Sequence, residues 1–456
     1  MKDFIRIASG QGFWGDLPKA PIDQVRNGPI DYLVMDYLAE VTMSIMQKQR
    51  MKNPDWGYAR DFVGVVDEIM PEIMNDGIRV ISNAGGVNPN ACKDEILKKA
   101  KEKGFSGLKV AVVDGDDILS DIERLIADGH KMSNMDDGRP ISQVKDDLLS
   151  ANIYFGCKPV VEALEKGANV IITGRVTDTG LTLAPMIHEF GWDYDDFDKM
   201  ATGTVAGHLI ECGAQVSGGN FTDWKTVDNF AEIGFPIIEA YPGGEFYVTK
   251  HENTGGLVSA MTVKEQLLYE IGDPKEYITP DVIADFTSIQ VEEDAPNRVR
   301  VTGIKGTPDT PTYKVSASYN YGYKLAATLV YCWPDALEKA QAGADILEKR
   351  AQNLGLEFDE FRKEYIGYNG NSEKPVTIDE DSGDLDEIQM RISLSGKSRN
   401  DLNRFGMEVA PLILTGPSGV TGFAGGRPKA SEVVAYWPAL LDKKAVRPRV
   451  TVYESE

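Results

Sequence analysis

Two histidines that each lie close to a carboxylate are the first candidates for chemistry in this chain. His188 is followed directly by Glu189, and His208 precedes Glu211 by three residues. Because positions i and i+3 face the same side of a helix, His208 and Glu211 would share one face. Such a pair could transfer protons as a general acid and base, or ligate one divalent metal ion. A hydrogen-bonded structural pair is the third interpretation, and the sequence leaves all three open.

An arginine at the end of an apolar run is the candidate contact for an anion. Arg175 follows the strand-like run at 170–173 and one glycine, and Asp178 lies one turn further on. An arginine can hold a carboxylate through two parallel hydrogen bonds. We therefore expect Arg175 to bind a substrate carboxylate while Asp178 orients it. A purely structural Arg–Asp pair is the alternative.

The elements that must position these residues follow a regular order through the first 225 residues. Short apolar runs at 4–9, 32–35, 78–82, 108–113 and 170–173 alternate with segments of helical character. This alternation predicts an α/β fold with a mostly parallel, doubly wound sheet, and a barrel is the less favoured arrangement. In such open sheets, ligands bind at the carboxyl ends of the strands.

The residues at those carboxyl ends are the predicted substrate contacts. Polar or glycine residues occur at three further strand ends, namely Asp36, Asn83, Gly85, Gly86 and Asp114. The turn at 83–90 (NAGGVNPN) resembles an anion-binding turn at the start of a helix, where free N–H groups meet a carboxylate or phosphate. A tight structural turn is equally compatible with this sequence.

Two glycine-rich loops add further candidates. Asn220 lies in the polar loop at 215–223, and Arg427 ends the glycine-rich segment at 416–427. We expect both side chains to contact a ligand. The segment 416–427 could cradle a phosphate, such as that of a CoA nucleotide, or act as a mobile lid or a linking segment.

The character of the sequence divides the chain into three predicted regions. Residues 1–225 form the α/β domain with the cleft, residues 226–322 a β-rich middle region, and residues 323–456 a C-terminal α+β region. Within the last region, strands are expected near 361–368, 387–395 and 411–415.

Composition restricts the class of protein. The formal net charge is -23, which argues against nucleic acid binding because that binding relies on neutralising phosphates. The four cysteines form no CxxC pair, so neither a disulfide framework nor a zinc knuckle is expected. The N-terminus lacks the apolar core of a signal peptide, and no apolar run is long enough to span a bilayer. We therefore expect a reduced, cytoplasmic protein with no membrane partner.

Several long motifs resemble one known family. The runs SGQGFWGD, DYLVMDYLAEVTMSIM, VISNAGGVNPNAC, IITGRVTDTGL, IHEFGW, AGHLIECGAQVSGGNFTDW and GGRPK resemble the acyclic terpene utilisation (AtuA) family, from about residue 4 to the C-terminus. The resemblance implies a role in the catabolism of terpenes of the citronellol and geraniol type through branched acyl-CoA intermediates. It also implies a small companion protein, which we expect to be a separate subunit here. The family contributes no established catalytic residues.

Together these patterns predict an enzyme that acts on a small branched or unsaturated carboxylic acid or its CoA thioester. The expected class is a lyase, most simply a hydratase, in which Arg175 and the turn at 83–88 hold the carboxylate or thioester. His188, Glu189, His208 or Glu211 would move a proton next to the carbonyl. The alternatives are an acyl-CoA hydrolase or isomerase, and a subunit that acts only with its small companion. A divalent metal stays open as a cofactor, and a homo- or hetero-oligomer is expected.

Overall fold

The computed structural model describes residues 2–39, 41–370, 385–422 and 426–456. These residues form two compact units, one comprising residues 1–318 and 436–456 and the other Tyr319–Ala435. The division of the sequence into regions 1–225, 226–322 and 323–456 stays a prediction.

The strands in the described residues are β1 (Ile5–Gln11), β2 (Tyr32–Met35), β3 (Arg79–Ser82), β4 (Lys109–Asp114), β5 (Leu148–Ile153), β6 (Val170–Thr173), β7 (Pro236–Ala240), β8 (Phe246–Lys250), β9 (Tyr277–Ile278), β10 (Ile283–Asp285), β11 (Gln290–Ala295), β12 (Arg298–Thr302), β13 (Lys305–Thr307), β14 (Thr312–Cys332), β15 (Glu360–Ile366), β16 (Glu387–Gly396), β17 (Val420–Thr421), β18 (Ser431–Asp442) and β19 (Arg449–Glu454). The α-helices are α1 (Ala20–Arg26), α2 (Thr42–Lys52), α3 (Arg60–Asn75), α4 (Pro89–Glu102), α5 (Ile122–Ala127), α6 (Lys158–Glu165), α7 (Gly180–Phe190), α8 (Phe197–Glu211), α9 (Ala260–Leu268), α10 (Ala336–Asn353), α11 (Arg399–Val409) and α12 (Leu412–Thr415).

The first unit is built on one large mixed sheet. Its order in the described residues is β11-β12-β8-β7-β1-β2-β3-β6-β4-β19. The five central strands, β1, β2, β3, β6 and β4, are parallel to their neighbours in this group. The strands β7 and β19 pair antiparallel with its two edges, and β8, β12 and β11 extend it antiparallel beyond β7.

The expected α/β fold is confirmed, but the sheet as a whole is mixed and not mostly parallel. The five apolar runs recognised in the sequence are its parallel centre. The additional strands come largely from residues 236–302, which pair with β1 and with one another. In the described residues the sheet is open, so no barrel is formed. The doubly wound course of the crossovers stays a prediction.

Continuous apolar strands explain why helices cover both faces of this sheet. Every residue of β2 and of β6 is buried, which is typical of parallel strands covered on both sides. Leu33, Val80 and Val110 belong to a core shared with α1, α3 and α4. Because side chains alternate along a strand, the intervening residues face the opposite layer. There α6, α7 and α8 contact one another and the strands β4, β1, β2 and β7.

The helices α7 and α8 pack very closely because α8 contains glycines at the contact. A Cβ atom added at Gly207 would lie 2.6 Å from the Cα and the carbonyl oxygen of Thr179. One turn earlier, Gly203 faces the side chain of Leu183. Increasing numbers on α8 thus meet decreasing numbers on α7, so the two helices are antiparallel.

The second unit combines an antiparallel sheet with helices. The strands β15, β16, β14 and β17 follow one another in this sheet. Alternate residues of β16 are buried, and Ile388, Met390 and Ile392 share a core with residues of α10 and α11. The expectation of a strand at 411–415 is wrong. This run forms α12 because Pro411 starts the turn and accepts a hydrogen bond from the Thr415 hydroxyl at 2.6 Å.

Replacing Gly207 by alanine tests the α7–α8 packing. The added methyl group would collide with the backbone of Thr179, which cannot move aside as a flexible side chain can. We expect the free energy of unfolding to fall by about 1–3 kcal/mol, as is typical of overpacking. Denaturant unfolding followed by circular dichroism provides the measurement.

Gly64→Ala is the matched control for this substitution. Gly64 also lies inside a helix, α3, but it is exposed and an added Cβ has no neighbour within 4 Å. We expect this variant to be more stable by about 0.5–1 kcal/mol, the usual gain for Gly→Ala in a helix. Equal effects of the two substitutions would contradict the close packing of α7 on α8.

Candidate active site

The loops that follow β2 and β3 are held together by one buried amide. Asn83 is fully buried, and its Nδ2 atom donates a hydrogen bond of 2.6 Å to Oδ1 of Asp36. Its Oδ1 atom accepts a hydrogen bond of 2.7 Å from the backbone N–H of Tyr37. Because β2 and β3 are parallel neighbours, both loops lie at the carboxyl ends of the parallel strands, which we call the carboxyl edge. The structure thus brings Asp36 and Asn83 together, as the position of both after strands predicted.

The loop after β6 is the third loop at the carboxyl edge, and its Arg175 contacts the loop after β2. Its guanidinium is buried, donates a hydrogen bond to the carbonyl of Leu38 and lies 3.2 Å from Oδ1 of Asp178. It also stacks over the ring of Tyr154, with 4.2 Å between Cζ and the ring centroid. The arrangement resembles the structural alternative for Arg175 more than an arginine presented to a substrate anion.

Asp116, a buried carboxyl group that was not among the predicted site residues, contacts the backbone of Arg175. Asp116 accepts hydrogen bonds from the backbone N–H of Arg175 at 2.8 Å and from Nδ2 of Asn152 at 2.9 Å. A side chain at Gly174 would overlap the carboxylate of Asp116, so a glycine is required there. Burial raises the pKa of Asp116 to about 7, although both hydrogen bonds oppose this shift. Asp116 belongs to the acidic loop after β4, which was the available signal.

His208 and Glu211 form a hydrogen-bonded pair at the end of α8. Nδ1 of His208 lies 3.1 Å from Oε1 of Glu211. Nε2 of His208 lies 3.0 Å from the carbonyl oxygen of Gln266. A carbonyl oxygen only accepts hydrogen bonds, so Nε2 carries a proton. The remaining proton of the pair is therefore shared between Nδ1 and Glu211.

The surroundings of this pair favour proton retention. Burial raises the pKa of Glu211, and the charge of Asp178 adds to this effect while His208 opposes it. Burial alone would lower the pKa of His208, but the hydrogen bond and charge of Glu211 raise it overall. The imidazole itself is 1% exposed. Glu211 is thus the member of the pair that can reach a ligand.

Glu211 lies in a pocket of about 10 Å³ together with the carboxyl groups of two other loops. This is room for about one water molecule. The pocket is lined by Ser9, Gln11, Val34, Met35, Asp36, Asp178, Leu181, Thr182, Ile210 and Glu211. Burial raises the pKa of Asp36 to about 6, against the opposing effects of the Arg175 charge and the Asn83 hydrogen bond. Carboxyl groups with raised pKa values in one pocket are suited to general acid–base chemistry.

Cys212 does not add a nucleophile to this pocket. Burial raises the pKa of its thiol to about 12, and the charge of Glu211 contributes to the shift. Since the thiolate is the nucleophilic form, the side chain is unreactive near neutral pH. The backbone of Cys212 has a packing role, because a Cβ at Gly12 would lie 2.6 Å from its carbonyl carbon.

The structure places His188 and Glu189 at the amino ends of the parallel strands, opposite the carboxyl edge. Nε2 of His188 accepts a hydrogen bond of 2.9 Å from Arg79, the first residue of β3. Oε1 of Glu189 accepts one of 2.6 Å from the hydroxyl of Tyr32, the first residue of β2. These two residues are therefore not brought together with His208 and Glu211. The helix α7 starts at the carboxyl edge and ends near the amino edge, which separates the two pairs.

Close packing leaves no room for a side chain at the two glycines of the turn after β3. A Cβ at Gly85 would lie 2.6 Å from the carbonyl oxygen of Thr173, and one at Gly86 would overlap the sulfur of Met46. Gly86 also has a φ of +51°, which favours glycine. The turn is thus held by its neighbours, which supports the structural alternative over an anion-binding turn.

Three other expected contacts lie apart from the pocket or outside this unit. Asp114 forms an ion pair of 2.7 Å with Arg449 on the edge strand β19. Asn220 is exposed and has a φ of +56°, as in a left-handed turn. Arg427 is exposed in the second unit. The segment 416–427 is described only in part, because residues 423–425 lie outside the described residues.

Neither a metal cluster nor a membrane-spanning helix is present in the part of the chain that the structure describes. No three or more His, Cys, Asp or Glu side chains are arranged there to hold a metal ion. No described helix is both long and apolar enough to cross a bilayer.

The His188–Arg79 bond predicts a pH-dependent contribution to stability. Burial, followed by the charge of Arg79, lowers the pKa of His188 below its usual 6.5. The unfolded chain then binds this proton more readily, so the contribution is present above pH 6.5 and lost as the pH falls through the folded-state pKa. We expect the wild type to lose more free energy of unfolding than His188→Gln between pH 7 and pH 5.

Arg79→Gln is the control for this pH effect. In its background the guanidinium no longer opposes protonation of His188, so substituting His188 should change the pH dependence less. Denaturant unfolding at a series of pH values measures all four proteins. An undiminished difference in the Arg79→Gln background would contradict the proposed origin of the effect.

Comparison with known proteins connects this architecture to a family. A family model described as acyclic terpene utilisation family protein AtuA matches residues 5–452. No curated protein and no solved structure shows significant similarity to the chain. The match extends over nearly the whole sequence and includes every residue that lines the pocket. The chain therefore belongs to the AtuA family of acyclic terpene utilisation proteins.

Proposed function

We propose that the groups around this water-sized pocket, at the carboxyl ends of the parallel strands, form the active site of a hydro-lyase. It would add water to, or remove it from, a small branched or unsaturated acyl compound. Membership of the AtuA family is consistent with a catabolic role. The observation that supports the proposal most directly is the shared pocket of Asp36 and Glu211, two carboxyl groups with raised pKa values. Water elimination next to a carbonyl requires one base and one acid in this arrangement.

The two carboxyl groups are assigned different roles. In the dehydration direction, Glu211 takes the proton from the carbon next to the carbonyl, and its raised pKa strengthens it as a base. Asp36, with a pKa of about 6, gives its proton to the departing hydroxyl group. The C–H electron pair forms the C=C bond as the C–O bond breaks, so water leaves, Glu211 ends protonated and Asp36 ends ionised. Hydration is the reverse of these steps.

His208 is a positioning residue in this mechanism. Its ring is buried and holds Glu211 through Nδ1, while Gln266 fixes its other nitrogen. When Glu211 is ionised, the imidazolium compensates its charge. When Glu211 takes a proton from the substrate, the pair carries one net positive charge, which the ionised carboxylate left on Asp36 balances. The imidazole therefore adjusts the basicity of Glu211 without contacting the substrate.

Electrostatics favours a CoA thioester over the free acid as substrate. Asp36, Asp178 and Glu211 line the pocket, and the nearby guanidinium of Arg175 is already engaged by Leu38 and Asp178. A substrate carboxylate would add a further negative charge beside these groups, whereas a thioester carbonyl is neutral. Withdrawal of electrons by the thioester also acidifies the adjacent C–H bond. The expected ligand contact of Arg427, which belongs to the second unit, stays a prediction.

Three alternatives from the sequence remain, and the first two, an isomerase and a hydrolase, would use the same pocket. An isomerase would need only the proton transfers of Glu211 and Asp36, without loss of water. A hydrolase would use Glu211 to activate water, since the thiol of Cys212 is not ionised. A subunit that acts only with a small companion protein would show no turnover alone.

A substrate panel distinguishes these functions. The purified chain, alone and with a candidate companion protein, would be incubated with short branched 3-hydroxyacyl and 2-enoyl CoA esters and with the matching free acids. We expect interconversion of the hydroxyacyl and enoyl CoA esters, measured by mass spectrometry, and much slower reaction of the acids. Double-bond migration or thioester cleavage without water addition would establish the alternatives instead.

Substitution of the two carboxyl groups tests their roles. Glu211→Gln and Asp36→Asn should each lower kcat by about 10²–10⁴-fold, the usual contribution of general acid–base catalysis. Asp114→Asn is the matched control, because Asp114 also ends a parallel strand but pairs with Arg449. Loss of activity in Asp114→Asn equal to that in Asp36→Asn would contradict the assignment.

The pH profile provides an independent measurement for Asp36. In the dehydration direction Asp36 must be protonated, so the rate should fall as the pH rises through its pKa of about 6. Asp36→Asn cannot ionise, so its residual activity should lack this decrease. A decrease that persists in Asp36→Asn would assign the titration to another group.

A further inference from the structure

A buried serine on the first strand lines the water-sized pocket. Ser9 lies on β1 and is 1% exposed. Its neighbour Ala8 belongs to the core shared with α1 and α3. Because side chains alternate along a strand, Ser9 faces the other layer, in which the last residue of α8 is Glu211. The strand direction thus places the Ser9 hydroxyl on the same side of the sheet as Glu211.

Two hydroxyl groups of this pocket have no partner within the described protein. Ser9 and Thr182 both line the pocket, and Thr182 is 2% exposed. Neither Oγ of Ser9 nor Oγ1 of Thr182 makes a hydrogen bond to another residue in the part of the chain that the structure describes. Buried polar groups that lack a protein partner are usually bonded to ordered water. These hydroxyls therefore require a ligand of that kind.

The size and the lining of the pocket fit one water molecule. Its volume of about 10 Å³ is room for one water. A buried water makes about three hydrogen bonds, and Ser9, Thr182, Asp36 and Glu211 surround this volume. A hydroxyl both donates and accepts, whereas an ionised carboxylate only accepts. The four side chains can therefore satisfy both hydrogens and the lone pairs of a single water.

We propose that this pocket binds the water molecule that is added to the substrate, and that Ser9 is the residue that positions it. This inference rests on the proposed function. In hydration, the ionised Asp36 accepts one hydrogen of the water and Oγ of Ser9 accepts the other, which leaves an oxygen lone pair for the substrate carbon. As the C–O bond forms, the proton of the water passes to Asp36. The electron pair of the C=C bond takes the proton of Glu211 at the carbon next to the carbonyl. Ser9 neither gains nor loses a proton.

The same pocket selects water over larger nucleophiles. Methanol carries a methyl group in addition to its hydroxyl and exceeds a volume of about 10 Å³. The walls include Val34 on a fully buried strand and Ile210 on α8, which is buried along most of its length. Such close-packed walls do not open for an extra methyl group. The site thus admits water and excludes small alcohols.

Ser9→Ala tests the positioning role because it removes only the hydroxyl. We expect kcat for hydration of an enoyl CoA ester to fall by about 10–100-fold, as for a misplaced reactant. A saturated acyl CoA ester exchanges the hydrogen next to its carbonyl with deuterated water through Glu211 and uses no water of this pocket. Its exchange rate should therefore stay at the wild-type value, whereas a structural role of Ser9 would lower both rates.

Ser9→Gly tests the selection by size. This variant lacks Cβ as well as the hydroxyl, so the pocket gains room for a methyl group. In mixtures of methanol and water, the wild type should form only the 3-hydroxyacyl ester. Ser9→Gly should also form the 3-methoxyacyl ester, and mass spectrometry distinguishes the two products. A wild type that adds methanol as readily as Ser9→Gly would contradict the proposal.

Ser150→Ala is the matched control. Ser150 is also a buried serine on a strand, but its Oγ lies 2.7 Å from Oγ of Ser318, so its hydroxyl is satisfied within the protein. This variant should keep the hydration rate, the exchange rate and the single product of the wild type. Unchanged hydration in Ser9→Ala would overturn the proposal, and so would an equal loss of hydration and exchange.

A high-resolution crystal structure of the protein without substrate separates this proposal from the function on which it rests. We expect a water within hydrogen-bond distance of Oγ of Ser9 and of the Asp36 carboxylate. If no water is found there, the proposal is wrong even for a protein that hydrates thioesters. If the water is found but the wild type neither hydrates nor exchanges any thioester of the panel, the proposed function is what fails.

Discussion

The buried guanidinium of Arg175 is the interaction on which the carboxyl edge of the first unit depends. A buried cation is tolerated only when hydrogen bonds and opposite charges replace its water. Leu38, Asp178 and the ring of Tyr154 provide these contacts from separate segments of the chain. Arg175 in turn opposes the rise that burial imposes on the pKa of Asp36. Arg175 thereby connects the loop after β2, the end of β6 and the start of α7.

The buried carboxyl groups near Arg175 hold their protons more readily than exposed carboxyl groups do. Asp36, Asp116 and Glu211 all have raised pKa values, since burial outweighs the stabilising contacts of each carboxylate. Groups that gain and lose protons near neutral pH are efficient proton carriers. The same excess of carboxyl groups makes an additional substrate carboxylate unfavourable. The proposed function therefore favours substrates with a neutral carbonyl group.

The part of this arrangement that follows from local sequence could be predicted. Asp36, Asn83 and Arg175 each follow a buried apolar strand, and parallel neighbours place such residues at one edge. The prediction that His188 belongs to the same site was wrong. Helix geometry could have shown this, because ten helical residues from Asp178 to His188 span about 15 Å at 1.5 Å per residue. The antiparallel strands of residues 236–302 could not be assigned to the main sheet, because their partner β1 is distant in sequence and pairing depends on tertiary packing.

The helix direction that removes His188 from the pocket is also what brings His208 and Glu211 into it. Since α7 carries the chain away from the carboxyl edge, an antiparallel α8 must return it, and the last turn of α8 then arrives beside the first turn of α7. Contact at that point requires the helices to approach closely, which Gly203 and Gly207 permit. A larger residue at Gly207 would collide with the backbone of Thr179 and push apart the two helices at whose ends Asp178 and Glu211 lie. The position of the proposed base is therefore set by the packing of two helices as much as by the strand ends.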